Sequence, residues 1–300
     1  MTAQTSKVVD IAQWRKSTVP EMNAFQFQQW TGLLAKRTGI TLPESRRSFL
    51  LSSLNIRMYE LGIESYQAYY NYLHSGHAGN IEWATLVDRL TVHETRFFRD
   101  QQALNLIRDV YLEQFEEKSA SDSINVWSVG CATGEESYSL AIELDRYLND
   151  SGKKFYYAVT GSDISPAAIT TARKAVYKSA RLSNVPEKIL EQYLDKTASD
   201  EFQVKPFLRQ RVCFNQMNLL DLTNIKVGLM DIIFCQNVLI YFKREQRLQI
   251  LNSLVTHLKQ GGLLVLGAGE IRDWVHPDLE SVSYDSTLAF RRTRKQESDA

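Results

Sequence analysis

Hydrophobic positions fall into two regimes along the chain. From residue 21 to 90 they recur at helical spacing. Phe25, Phe27, Trp30, Leu33 and Leu34 predict a first helix that stops at Gly39. Pro43 opens a second, with Phe49, Leu50, Leu54, Met58 and Leu61 as its apolar side and Gly62 as its end. Tyr66, Tyr69, Tyr70 and Leu73 continue the pattern, His74–Asn80 reads as a loop, and Ile81–Leu90 starts another helix. From residue 124 short apolar runs alternate with amphipathic stretches. Ile124–Val129, Phe155–Thr160, Met230–Cys235 and Leu263–Leu266 read as buried strands. Glu135–Leu148, the stretch after Ser165-Pro166 with Ile169, Ala172 and Val176 on one side, and the run Leu248–Leu258 read as helices, the last ended by Gly261-Gly262. This alternation predicts an α/β domain built on a mainly parallel sheet with helices on both faces. Residues 177–214 break it. Phe202, Val204, Phe207, Val212 and Phe214 predict a small antiparallel β insertion. The expected organisation is a flexible extension over 1–20, a helical domain over 21–90, a linker over 91–123 that contributes to a ligand site, the α/β domain over 124–292, and a frayed tail over 293–300.

The first αβ junction carries the chemistry. Gly130-Cys131-Ala132-Thr133-Gly134 joins a buried strand to a helix, the usual cradle of a nucleotide-like ligand, with glycines allowing close backbone approach. Glu135 and Glu136 then open the helix where a diphosphate would need bare amides. They argue for a ligand with a cationic centre, an amine and a ribose, such as S-adenosylmethionine, and Glu135 is the favoured contact, although acids stabilise any first helical turn. Asp163, just past the second strand, is placed to accept ribose hydroxyls, or else to complement the following helix dipole. Asn237 follows the Met230–Cys235 strand. Tyr241, one turn beyond, faces either the crevice or the core. Gly130, Asp163 and Gln236-Asn237 all follow strands, so they should converge on one crevice. The strip Thr91–Asp100 packs Phe97 and Phe98 between Arg96 and Arg99, and could bring Thr95 and Arg99 over it.

Bulk properties narrow the class. Three hundred residues suit about two domains. A formal net charge of +0 gives no support to a strongly basic nucleic-acid binder. Three cysteines without a close pair fit a reducing compartment and exclude a CxxC metal site, and the five histidines show no metal-ligand spacing. No apolar run reaches membrane-spanning length and the N-terminus lacks a signal-peptide core, so the expectation is a cytoplasmic protein without membrane insertion. Arg46 and Arg57 lie eleven residues apart, about three helical turns, and with Lys36, Arg37 and Arg47 they could form a basic patch for an acidic protein partner or simply a solvated face.

With these motifs the chain resembles the CheR family of chemotaxis-receptor glutamate O-methyltransferases. The matching pieces are HETRFFRD (93–100), WSVGCATGEESYSLA (127–141), GSDIS (161–165), NLL (218–220), DIIFCQNVLIYF (231–242) and LKQGGLLVLGAGE (258–270), in family order. The resemblance implies an all-α N-terminal domain before a Rossmann-like S-adenosylmethionine-dependent domain. It implies methyl transfer to glutamate carboxylates in the cytoplasmic signalling region of membrane chemoreceptors, with S-adenosylhomocysteine as product, no metal, no nucleic acid and a monomer as the default. Carried over by position, it implies that His93, Thr95, Arg99, Gly130, Glu135, Asp163, Asn218, Leu219, Asn237 and Val238 bind the cofactor, and that Arg99 and Tyr241 lie nearest the transferring methyl. Two departures stand out. His93 replaces the usual Asn, and the family's GHSE is here GAGE at 267–270.

Overall fold

The computed structural model describes residues 21–91, 94–115, 123–225 and 227–294. The 1–20 extension, His93 and residues 295–300 of the tail lie outside them. The chain forms two compact units, Met1–Val92 and His93–Ala300.

The first unit is all helical: α1 (Ala24–Thr38), α2 (Arg47–Leu61), α3 (Tyr66–Tyr72) and α4 (Gly76–Leu90). A reciprocal capping box starts α1. Asn23 Oδ1 accepts the Gln26 amide at 2.8 Å and Gln26 Oε1 accepts the Asn23 amide at 3.0 Å. Gly39 ends it in the left-handed region. Phe27, Trp30, Leu34, Leu50, Leu54, Met58, Tyr69 and Leu86 are buried, whereas Phe25 is 71% exposed and leaves the predicted apolar side. Pro43 precedes a 3-10 turn, Glu44–Arg46, that leads into α2. Helix α4 begins earlier than the expected loop over 74–80 allows. Gly76 turns the chain at φ 62°, and Gly79 packs so tightly on the preceding turn that a Cβ would lie 2.5 Å from the Tyr72 carbonyl oxygen.

Arg57 differs most from the sequence reading. It is not a free cation for a partner. Its Nε donates to Glu82 Oε1 at 2.8 Å, its two Nη atoms bond Glu82 and Glu60, and Tyr69 donates to Glu82 Oε1 at 2.5 Å. Only 14% of the Arg57 side chain is exposed, so its charge serves to neutralise a buried carboxylate between α2 and α4. Arg46 is exposed.

The second unit is built on one mixed sheet. Its strands are β1 (Ser123–Val129), β2 (Tyr156–Asp163), β6 (Val212–Gln216), β7 (Met230–Cys235), β8 (Leu258–Leu266), β9 (Leu279–Tyr284) and β10 (Thr287–Arg292). The spatial order is β6-β2-β1-β7-β8-β10-β9. The first five are mutually parallel, as the alternation predicts, and the β9–β10 hairpin adds antiparallel to β8. Helices α5 (Gln101–Leu106, continued as a π-helical turn over Ile107–Leu112), α6 (Glu135–Ser151), α7 (Pro166–Lys174) and α10 (Arg244–Thr256) cover its faces. Both faces are buried, because Ile232 and Phe234 of β7 join one apolar cluster while Ile233 and Cys235 join the other. Phe97, Leu104, Ile107 and Leu112 belong to the first cluster, so the stretch read as a linker packs into the sheet's core. Chain order reverses between β1 and β7, which opens a crevice at their carboxyl ends.

The β insertion comprises β3 (Val176–Lys178), β4 (Leu194–Ala198) and β5 (Glu201–Val204) in antiparallel order β3-β5-β4, with α8 (Glu187–Tyr193) beside β4. Three boundaries differ from expectation. Val176 starts β3 rather than continuing α7. After the short α9 (Pro206–Arg209), Val212 and Phe214 leave the insertion and pair in parallel with β2 at the sheet edge. A strand's period of two does not reveal its partner's direction. Leu258 begins β8, and Gly261-Gly262 form an irregularity inside that strand, where the register with β7 shifts.

Candidate active site

Four segments of the second unit meet at the carboxyl ends of the parallel strands. The loop after β1 is the most constrained. Gly130, Ala132 and Gly134 have φ of 69°, 46° and 96°. A Cβ on Gly130 would come within 2.3 Å of Val238 Cγ2, so only glycine lets this loop meet the one after β7. The Cys131 amide donates to the Ser162 carbonyl at 2.9 Å and ties the loop to the end of β2.

Asp163 is the last residue of β2, not the first beyond it. Its Oδ2 accepts the Ala132 amide and its Oδ1 accepts the Ser165 amide, both at 2.9 Å. It therefore braces the glycine loop at the crevice end of the sheet, and a carboxylate oxygen that accepts one amide can also accept a hydroxyl. The Asp163 carbonyl accepts the Met217 amide at 2.8 Å, which draws Asn218 and Leu219 alongside. Asn218 caps the following 3-10 turn through the Leu220 amide at 3.1 Å, and Leu219 is buried.

The strip before α5 reaches the same end of the sheet. Phe98 adopts φ 51° and its amide donates to Ser139 Oγ of α6 at 2.9 Å. Thr95 is held through its carbonyl, which accepts Arg181 Nη1 from the β insertion at 2.5 Å. Arg99 is exposed and donates to the Glu94 carbonyl at 2.6 Å. Asp100 caps α5 through the Ala103 amide at 3.0 Å and accepts Gln236 Nε2 at 2.8 Å, linking the strip to the β7 end. In the loop after β7, Asn237 is exposed at φ 60°, while Val238 and Tyr241 are half-buried.

The two carboxylates opening α6 separate. Glu135 is 1% exposed; its Oε2 accepts Thr133 Oγ1 at 2.6 Å, and its Oε1 lies 4.0 Å from Arg181. Glu136 turns toward Ser128, whose hydroxyl donates to it at 2.8 Å. Burial pushes the Glu136 carboxyl up to about 8, Ser128 and Arg99 pull it down, and Glu270 and Asp100 push it further up. Glu136 is the functional candidate that sequence reasoning passed over in favour of Glu135. Neighbours in a helix point about 100° apart, and only the fold decides which one faces which partner.

Of the predicted residues, Thr95, Arg99, Gly130, Glu135, Asp163, Asn218, Leu219, Asn237, Val238 and Tyr241 all lie on these converging segments. The donor set suits S-adenosylmethionine. Carboxylates line the helix end that a diphosphate would occupy, a carboxylate stands at the end of β2 for hydroxyls, and a glycine replaces the Cβ that would close the floor. Among the described residues no group of three His, Cys, Asp or Glu is placed to hold a metal ion, and no helix is long and apolar enough to cross a membrane.

The comparisons with known proteins agree with this geometry. Residues 26–91 match the family model described as CheR methyltransferase, all-alpha domain, and residues 93–286 match CheR methyltransferase, SAM binding domain. A chemotaxis protein methyltransferase of Borreliella burgdorferi is 32% identical over 235 residues, which are 77% of this chain and 83% of that protein. Chemotaxis protein methyltransferase 1 of Pseudomonas aeruginosa is 32% identical over 269 residues, 88% and 97% of the two chains. That of Escherichia coli is 32% identical over 248 residues, 81% and 83%. The chain belongs to the CheR methyltransferase family, and its cofactor is S-adenosylmethionine.

Proposed function

We propose that this protein methylates glutamate side chains in the cytoplasmic signalling domain of membrane chemoreceptors, forming glutamyl 5-O-methyl esters. The carrying observation is the charge arrangement of the crevice. Its cofactor side is lined by Glu136 and Asp163, with Glu135 buried behind them, whereas Arg99 supplies an exposed guanidinium beside it. That pairing suits a cationic cofactor and an anionic acceptor. The relatives, chemotaxis protein methyltransferases, support a protein acceptor in chemotaxis.

When bound, S-adenosylmethionine supplies an electrophilic methyl group on a sulfonium. Thr95, Gly130, Glu136, Asp163, Asn218, Leu219, Asn237 and Val238 are the residues that would hold it, with Glu135 behind them. A glutamate acceptor is already ionised near neutral pH, so the site needs no general base. Arg99 orients the incoming carboxylate, and Tyr241 shapes the space beside the methyl. Positioning of this kind can lower a barrier by up to ~7–11 kcal/mol. In the exposed Ala-Gly pair that replaces the family's His-Ser, Ala268 and Gly269 bring no titratable group, while Glu270 is retained. Arg46, exposed on the helical unit, is the better remaining candidate for an acidic receptor surface. The cytoplasmic signalling domain of the receptor as substrate places the protein in the cytoplasm.

The test is transfer of labelled methyl from S-adenosylmethionine to receptor-containing membranes, followed by mild alkali. Label released as volatile methanol establishes carboxyl esters. Alkali-stable label, or no transfer by protein that binds the cofactor, refutes the glutamate assignment. The Arg46→Glu variant should slow receptor methylation without changing cofactor affinity.

A further inference from the structure

The loop after β7 wraps around one buried carboxylate of its own chain. Glu270 is 1% exposed. Its Oε1 accepts the Val238 amide at 3.0 Å and its Oε2 accepts the Ile240 amide at 3.1 Å. Burial holds its carboxyl above the usual range, and the amides of Val238, Leu239, Asn237 and Ile240 pull it part of the way back. The left-handed Asn237 followed by right-handed Val238 turns successive N–H groups to one side, the concave arrangement that elsewhere binds free anions. Gly267 keeps the approach open, since a Cβ there would sit 3.2 Å from Glu270 Oε1 and 3.4 Å from the Asn237 nitrogen.

A second side chain holds the other edge of the same loop. Arg247 of α10 donates from Nε to the Phe242 carbonyl at 2.8 Å, from Nη1 to the Glu270 carbonyl at 3.0 Å, and from Nη2 to the Ile240 carbonyl at 3.0 Å. Amides are gathered from inside by a carboxylate and carbonyls from outside by a guanidinium. The residues between them are Val238, which packs on Gly130, and Tyr241.

We propose that Glu270 and Arg247 are positioning residues for methyl transfer, holding Asn237–Tyr241 in the one shape that presents Val238 and Tyr241 to the crevice. The proposal rests on the assignment of that loop to the cofactor and methyl site. Neither residue touches substrate. Exchanging the Glu270 carboxylate for an amide places an NH₂ donor against backbone donors that need an acceptor.

The experiment compares Glu270→Gln and Arg247→Met with the parent by amide hydrogen exchange of 236–242, S-adenosylhomocysteine affinity, and methylation kinetics. In the parent without ligand, the Val238 and Ile240 amides should be protected. In each variant their exchange should rise at least about tenfold while that of β7 stays unchanged. S-adenosylhomocysteine affinity should fall about tenfold, and kcat should fall with receptor KM unchanged. Unprotected amides in the parent overturn the proposal, even where a variant does not fold. So does faster exchange in the variants with affinity and kcat intact. Asp163→Asn, on the opposite wall, is the control for the underlying assignment. If it leaves affinity untouched, the cofactor site has been misplaced, while the exchange data still decide what Glu270 does to its loop.

Discussion

Glu136 should register the arrival of a cationic cofactor by losing a proton. Moving a carboxyl from its ordinary 4.5 to about 8 makes its ionisation in place about 5 kcal/mol harder than in water. The cause is burial first, with Glu270 and Asp100 adding to it against the pull of Ser128 and Arg99. At pH 7 such a group is about nine-tenths protonated. A sulfonium and an ammonium brought beside it restore its ionisation, so binding of S-adenosylmethionine should release close to one proton at pH 7 and almost none at pH 9. Affinity should rise up to about tenfold per pH unit below 8 and level off above. S-adenosylhomocysteine keeps the ammonium but lacks the sulfonium charge, and should release fewer protons. The assay is calorimetric titration of both ligands in buffers of different ionisation enthalpy at pH 6, 7 and 9, with Glu136→Gln alongside. The variant should show no proton release and a flat pH profile. Parent enthalpies that do not depend on the buffer at pH 7, or a variant that still releases a proton, refute the reasoning. The same shift acts on stability. Because the folded value is raised, the neutral Glu136 supports folding fully below about pH 4.5, and that support is lost as pH rises through about 8. At pH 9 Glu136→Gln should therefore melt above the parent.

Asp163→Asn should weaken S-adenosylhomocysteine binding by about 1.5–3 kcal/mol, the scale of hydrogen bonds to a charged acceptor, as read by calorimetry; unchanged affinity removes the ribose role. Gly130→Ala should abolish measurable cofactor binding, because the new Cβ meets Val238 at 2.3 Å in a left-handed backbone; a variant that still binds shows that the two loops can part. In the helical unit, Arg57→Met should destabilise by about 3–5 kcal/mol in chemical denaturation by stranding Glu82, whereas Arg57→Met with Glu82→Leu should recover most of the loss.

What the sequence made legible was local. The junction from β1 through Gly130–Gly134 into α6 could be read because a largely buried strand is rich in apolar residues and the turn demands glycine within a few residues. Gly39 and Gly62 marked helix ends for the same reason. What stayed hidden depends on distant partners. Nothing near Arg57 announces Glu82, twenty-five positions away, so an internal ion pair looked like half of a surface patch. The β9–β10 hairpin turns at Asp285-Ser286 with Ser286 at φ 53°, without the glycine that would have signalled it. Gly261-Gly262 gave the opposite error, a helix stop that is a strand irregularity. In the site, the converging segments were readable but the side-chain contacts were not, because Asp163, Glu135 and Glu136 face Ala132, Arg181 and Ser128.

Phe98, Ala132 and Asn237 each sit at positive φ without being glycine, and each belongs to a different wall of the crevice. A residue held there costs of order 1 kcal/mol, so the walls carry a few kcal/mol that the rest of the fold must sustain. This sets a conflict for anyone engineering the enzyme for heat. Glycine at 132 or 237 removes the steric penalty but also frees the backbone that the walls need rigid, and screening for melting temperature alone would select proteins that last longer and grip their cofactor less.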